Sequence, residues 1–458
     1  MSEMNLILLA LWALCAVISL RFLQLGLILY LIGALLFPAF RIGEMVLRFE
    51  LVYCLWLIFI VFMRNSIKKK HFLWCSVLSR YGLYLLAIII ATLLAIPEIR
   101  EMDILAQTIQ LYGLLRPFLV MFLFLNVPLD KRFLQSVLWV FVGGSIPLAL
   151  LSIAQSLGMS VAEKITMLGY SSPWRTPIFR MLEEHHIIIR STGVFETPAS
   201  NATFFLLVLL TSGFLLLKGR HRPLQRWILY LVLGLAFIGG ITTLSSTFLL
   251  GFVVCLGLSM FFLFLRYRHN FLRIAFGATC IIVLLTFFLL PQLAEKTIFT
   301  GTLRYQAKRI LSGSVLETRY NPTSGILAGT YQAIEQRPIL GWGLTKIENV
   351  FVGDSIYMTV LYQGGIIGLI IFLWVIWSVL KHTWRNLKSI DEFGEINRIT
   401  FLFTLLLLAI GIGIPSFFIL RLQEWYWALV GISFNRGLCL LFRKPINHHE
   451  KQILIEKD

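Results

Sequence analysis

Long apolar runs, almost free of charge, recur from Asn5 to Phe442. A helix that crosses a bilayer needs about 20 such residues, and the candidates are 5–20, 22–40, 51–63, 81–97, 111–127, 133–155, 202–217, 228–244, 247–265, 274–290, 356–380, 399–418 and 425–442. That length criterion gives about twelve or thirteen spans. The runs are continuous, whereas spanning strands alternate apolar and polar. With 58% hydrophobic and 14% charged residues, the chain lacks the polar surface that a soluble fold needs. The expected fold is therefore an all-α, polytopic integral membrane protein, a single domain over residues 1–458. The first apolar run has no basic segment before it and leads straight into the next, so it reads as a span and not as a cleaved leader.

The loops orient the spans. The net charge of +17 could suggest nucleic acid. Its cations, however, gather in short segments between spans: 64–70, 218–226, 266–273, 381–388 and the tail from Arg443. Counting spans places all five on one side, and the positive-inside rule makes that side the cytoplasm. The C-terminus is then cytoplasmic. Two long polar loops, 157–201 and 292–355, fall on the outer face.

Those loops hold the candidate chemistry. Arg190 precedes Ser191-Thr192-Gly193-Val194-Phe195-Glu196. Its guanidinium suits a phosphate or, equally, a lipid headgroup at the interface. Thr197, Ser200 and Asn201 are candidates to cap the following helix. In the second loop, Arg319-Tyr320 precedes a helix expected over 325–336, started by Asn321 or Thr323, with Ile326, Leu327, Tyr331 and Ile334 on its apolar face. Pro338-Ile339-Leu340-Gly341-Trp342-Gly343 reads as a breaker and turn. Arg304, Lys308 and Arg309 recur at helical spacing as a basic face. Asp354 stands at the mouth of the next span, where a carboxylate is either a helix cap or a general base. Gly364, Gly365 and Gly368 suggest close backbone packing.

Other chemistries find little in the chain. The loops show only the adjacent His185 and His186 and no clustered acids, so no metal site is expected. No phosphate-binding glycine loop sits on the cytoplasmic side, so no cofactor is expected either. The six cysteines, Cys15, Cys54, Cys75, Cys255, Cys280 and Cys439, lie in or beside apolar runs and read as core residues, not disulfides.

The segment Arg190 to Phe195 with Pro198 and Asn201 resembles the R-x-x-G-x-F segment of the bacterial O-antigen ligase/polymerase family. Ile241-Thr242-Thr243-Leu244-Ser245-Ser246 is similar to that family's T-x-S turn, with Ser246 where an arginine is common. The stretch from Arg319 through Gly341-Trp342-Gly343 to Asp354-Ser355 and Gly368 resembles its large periplasmic loop and following helix. Family ligases generally carry histidine-asparagine where this chain has Asp354-Ser355, and many polymerases carry an acid there.

The resemblance implies a metal-independent, inverting glycosyltransferase of the bacterial inner membrane. It would polymerise oligosaccharide repeat units carried on undecaprenyl pyrophosphate, with lipid-linked glycans as donor and acceptor and a chain-length regulator as partner. It implies pyrophosphate binding by Arg190 and Arg319 and a catalytic Asp354, with Glu196, Tyr320, Arg309 and Tyr357 in support. The alternatives are a ligase that moves polymer to the lipid A core, and a flippase for the same lipid, for which Arg80 and Arg116 are the intramembrane charges.

Overall fold

A bilayer offers no hydrogen bonds to a bare backbone, so the apolar runs must pair their amides internally as helices, and they do. A computed structural model describes residues 3–38, 40–42, 45–98, 104–167, 179–183, 186–218, 222–266, 306, 308–345, 347, 350, 352–387, 389, 391–435 and 437–438. Its main helices are α1 (Glu3–Arg21), α2 (Leu23–Leu36), α3 (Phe49–Ile67), α4 (Ser76–Ala95), α5 (Ile104–Asn126), α6 (Lys131–Ser156), the short α7 (Ser160–Met167), α8 (Pro198–Lys218), α9 (Pro223–Thr242) and α10 (Ser246–Arg266). After them come α11 (Ser314–Tyr320), α12 (Ala328–Gln336), α13 (Ile356–Asn386), α14 (Glu392–Ile410) and α15 (Leu422–Ser433). Two small antiparallel hairpins complete the described elements: β1 (Phe40–Ile42) with β2 (Met45–Leu47), and β3 (Phe179–Glu183) with β4 (His186–Arg190).

Among the described residues, seven helices are long and apolar enough to cross a membrane: α3, α4, α6, α8, α9, α13 and α14. Four shorter apolar helices lie in α1, α2, α5 and α10. The protein is a multi-pass, all-α membrane protein. The expected span 274–290, Arg304, the tail from Arg443, Cys280 and Cys439 lie outside the described residues. Cys15, Cys54, Cys75 and Cys255 form no disulfide.

Three expected boundaries need correction. The run 51–63 is the centre of a 19-residue helix, because the flanking Phe49-Glu50 and Arg64–Ile67 continue the same turns. The expected span 399–418 starts earlier, at Glu392, capped by the Asp391 carboxylate on the Gly394 amide, and stops at Ile410. The helix expected from Gly325 begins only at Ala328. Asn321 does not start it: its side-chain oxygen instead accepts from the Thr323 and Ser324 amides and closes a local turn. Leu327 is fully buried beside that helix, but Ile326 is exposed and is not on its packed face.

Bonds between helix ends sort the bundle into two poles. At one pole, Leu73 meets Asn126, Lys131 meets Glu392 at 3.2 Å, and Asn435 donates to carbonyls of Phe124 and Val127. The described basic segments 64–70, 222–226 and 381–387 share this pole. At the other, Arg48 pairs with Glu196 at 2.7 Å, Ser191 bonds Thr242, Arg337 donates to Leu94, and Ile356 donates to Gly411. The described residues of both polar loops gather at this second pole.

The helix after the second loop is broken. Gly365 has φ +58 inside α13, a conformation that glycine reaches without a Cβ clash. The break frees backbone groups, and the segment Pro338–Gly343 takes them up. The amides of Trp342 and Gly343 donate to the carbonyls of Tyr362 and Gln363 at 2.7 and 2.9 Å, while Ile366 donates back to Pro338 at 2.9 Å and Ile367 to Ile339 at 3.2 Å. Of the glycines expected to pack closely, Gly365 does so, against loop backbone in an opened helix, whereas a Cβ on Gly364 or Gly368 would meet only ordinary contacts at 3.8–3.9 Å. A Cβ on Gly365 would collide with Ile339, and one on Gly343 with Thr92 of α4.

Beneath this pole Arg116 of α5 pairs with Glu424 of α15 at 2.7 Å, with 5% and 0% side-chain exposure. Arg80 stacks 4.4 Å from the Trp374 ring and bonds Ser378.

Gly365→Ala is expected to destabilise the fold by about 1–3 kcal/mol, since it forces a left-handed alanine against a backbone carbonyl. Thermal unfolding in detergent, read against wild type, measures it. Glu424→Ala removes the carboxylate that bonds the buried Arg116, leaves only the buried Glu50 near its charge, and should cost up to about 3–5 kcal/mol, seen as loss of monodisperse protein after mild heating.

Candidate functional site

The first loop reaches the bundle through Arg190, the last residue of β4. Its Nε donates to the Thr243 carbonyl at 3.1 Å, and burial pulls its guanidinium below the ordinary value. Ser191 then bonds Thr242 through both backbone and side chain. The amides of Thr192 and Gly193 converge on one acceptor, Oε1 of Gln155, at 3.0 and 2.8 Å. Gly193 has φ +58, and a Cβ there would press on the Asn201 side chain. The R-x-x-G spacing therefore has a local reason: the chain turns sharply over Asn201 so that Arg190 lands on the α9–α10 turn. In that turn Leu244 is itself left-handed, at φ +47. Thr197 accepts from the Ser200 amide at 3.1 Å and caps α8.

The second loop assembles around a different turn. α14 stops at Gly411, and residues 411–415 form a connector to a single 3-10 turn, Ser416–Phe418. Two elements bond this connector. Arg319, at the end of α11, donates to the Gly413 carbonyl, and the Tyr320 hydroxyl donates to Ile412. Ser355 and Ile356, at the start of α13, both donate to the Gly411 carbonyl, at 3.2 and 2.9 Å. Burial pushes the Tyr320 phenol above its ordinary value. Ser355 and Arg319 pull it the other way, and Asp354 adds to the rise. Arg319, Tyr320, Asp354 and Ser355 are thus one electrostatic neighbourhood.

Asp354 itself is half-buried. Ser355 takes the N-cap position of α13, with no side chain bonding the helix amides there, so the cap alternative for Asp354 is not realised. Tyr357 points back to the Leu408 carbonyl at 2.8 Å, within electrostatic reach of Tyr320.

Beside this neighbourhood lies a cavity of about 390 Å³. Gly353 lines it next to Asp354, and Pro415 lines it from the connector that holds Arg319. Gln363 and Tyr362 face it from α13, Gln423 from α15 and Gly113 from α5.

The structure brings Arg319, Tyr320, Asp354 and Tyr357 together. It seats Arg190 at the same pole but on another turn. The two turns are linked through the helices beneath them: a Cβ on Gly251 of α10 would lie 3.2 Å from Ile410 of α14. Glu196 pairs with Arg48, a partner that reasoning from sequence missed. Arg309 lines a separate open groove with Lys308, Ser312, Ser314 and Thr318. Gln155, Gln363, Gln423 and the 411–415 connector also escaped notice. The signal for Gln363 was a lone amide in its apolar run, whereas Gln155 closes a run that also holds Gln135 and Gln423 sits beside Glu424. Among the described residues no group of three or more His, Cys, Asp or Glu is placed to hold a metal.

No protein-family model matches this chain, and neither does any curated protein.

Arg190→Ala and Arg319→Ala should each leave a folded protein. Each side chain donates to a single described carbonyl, so each loss is expected to cost about 1–3 kcal/mol. Paired thermal midpoints in detergent test this, and a collapse of either variant would make that arginine a structural strut.

Proposed function

We propose that this protein is a membrane-embedded glycosyltransferase that joins polyprenyl-pyrophosphate-linked oligosaccharide repeat units into a surface polysaccharide. It would work on the outer face of a bacterial inner membrane, without a metal ion. The observation that carries the reading is that Arg319 and Tyr320 bond the 411–413 turn, which also receives Ser355, the residue next to Asp354, beside a cavity and at the pole that also holds Arg190.

The chemistry follows from those groups. An acceptor sugar hydroxyl attacks the anomeric carbon of the donor. Its O–H bond breaks as the new glycosidic bond forms, and Asp354 takes the proton. The bond between the anomeric carbon and the pyrophosphate oxygen breaks with its electron pair, and polyprenyl pyrophosphate leaves as an anion. Pyrophosphate departs without protonation, so no acid is needed. Arg319 would hold the charge that grows on the leaving oxygen, with Arg190 as a second guanidinium at the same pole. One displacement inverts the anomeric centre, as in inverting glycosidases, with the acid omitted.

The placement of charge favours this over transport. Arg116 is locked to Glu424 and Arg80 lies on Trp374, whereas a moving lipid headgroup calls for charges free to line a path. An acid at 354, where family ligases generally show histidine, supports polymerase over ligase. The basic segments at the opposite pole support an outward-facing site. Cysteine labelling within 308–345 from the external side tests that orientation.

Purified protein given only lipid-linked repeat units should make a ladder of products. Asp354→Asn is expected to slow elongation by about 10²–10⁴-fold, and Arg319→Ala by about 10²–10³-fold. Wild-type protein that makes no ladder would overturn the polymerase reading, and a fully active Asp354→Asn would remove the base.

A further inference from the structure

We infer that the cavity beside Asp354 is a binding site for an uncharged sugar ring, distinct from the place where pyrophosphate is held. The first reason is what lines it. Among the described residues of its wall there is no Asp, Glu, Lys, Arg or His. A diphosphate there would give up its water with no cation in return, which is strongly unfavourable. The guanidinium of Arg319 is bonded to the connector at Gly413 instead.

The second reason is the direction of the wall's hydrogen bonds. Its hydroxyl hydrogens are already committed. Thr345 donates to Trp342 at 2.5 Å, Thr359 to Ser355 at 2.7 Å, and Tyr362 to Thr345 at 2.8 Å. These groups retain only lone pairs for a ligand. Two lining glutamines add to this. The side-chain oxygens of Gln363 and Gln423 are buried and accept no hydrogen bond. Gln423 is 2% exposed, and its amide nitrogen is turned to the Glu424 carboxylate at 3.4 Å. Glu424 is in turn fixed by Arg116, so the amide is held with its oxygen as the unanswered atom.

Among its described residues the wall is uncharged, and its three hydroxyls offer lone pairs while the exposed Gln110 adds an amide donor and acceptor, which together suit a neutral ligand that carries several O–H or N–H donors. Phe418 and Tyr362 supply apolar surface for the C–H face of a ring. A cavity of about 390 Å³ is of the size that small-molecule sites have. A sugar meets all these conditions. That this sugar is the acceptor, presenting its hydroxyl toward Asp354 across Gly353, rests on the glycosyltransferase reading; the sugar chemistry of the cavity does not.

Two variants test the site. Gln423→Leu removes the unanswered oxygen at similar volume. Gly113→Leu fills the cavity from α5: a Cβ there meets nothing within 4 Å, and leucine is the better helix former, so the fold should hold. Full-length protein in nanodiscs is examined by saturation-transfer NMR with methyl glycosides of neutral hexoses and N-acetylhexosamines, beside methyl glucuronide and inorganic pyrophosphate. Neutral glycosides should bind wild type, weaken on the order of five- to tenfold in Gln423→Leu, and lose binding in Gly113→Leu. Pyrophosphate binding should be the same in all three proteins. Equal neutral-sugar signals in the three proteins, or anions displaced by Gly113→Leu, would overturn the proposal. In the elongation assay, Gln423→Leu should raise the acceptor KM on the order of tenfold with kcat nearly unchanged. If wild type makes no ladder, the enzymatic reading falls and the sugar-binding experiment still decides the cavity. If ladders form but Gly113→Leu keeps a wild-type acceptor KM, the acceptor assignment falls.

Discussion

The break in α13 at Gly365 is the constraint from which the rest of the site follows. A helix opened near the membrane must have its freed amides and carbonyls answered by protein, because lipid answers none. Here the answer is the backbone of Pro338–Gly343, which bonds the opened helix on both sides of the break. Meeting that demand draws the second loop down into the bundle. It sets Gly343 against α4, where Leu344 donates to Thr92 at 2.9 Å, and it turns the Trp342 indole to the Ala333 carbonyl at 2.7 Å. A loop that could have stood in water becomes a wall of the cavity.

The connector after α14 does the complementary task. Its carbonyls at Gly411, Ile412 and Gly413 lie just past the end of α14, outside its hydrogen-bond ladder, and they are answered by Ser355, Tyr320 and Arg319. Arg421, just before α15, is anchored in the same manner to the end of α2, through Ala34 and Phe37. Helix-end carbonyls are thus the means by which distant segments become neighbours. The result is a graded site: guanidinium, phenol and carboxylate at the rim, amides and hydroxyls in the cavity, and one locked ion pair, Arg116–Glu424, below.

That grading explains why only part of the site was legible beforehand. Arg319, Tyr320 and Asp354 stand out in sequence because they are polar in a loop between apolar runs. The helical class and most helices were readable for the same reason, since hydropathy reports directly on which segments avoid water. The connector was not. Gly411-Ile412-Gly413-Ile414 is as apolar as the helix it ends, so it passed as part of a span. Gln363 was hidden for the opposite reason, a lone amide in an apolar run with nothing local to mark it, and Gln423 because it lies beside Glu424 in a short connection between spans. The second role open to Asp354, a helix cap, was plausible from position alone and failed because Ser355 occupies the cap position.

By itself the sequence determined the all-α membrane class and the division into apolar spans and two polar loops, because each depends on composition. Which residues share a site was decided only by tertiary structure. Arg319 and Gly413 are 94 positions apart, and Arg190 meets Thr243 across 53. Contacts at such separations are set by which helix ends need hydrogen-bond partners and which segments can reach them, and no local pattern encodes that.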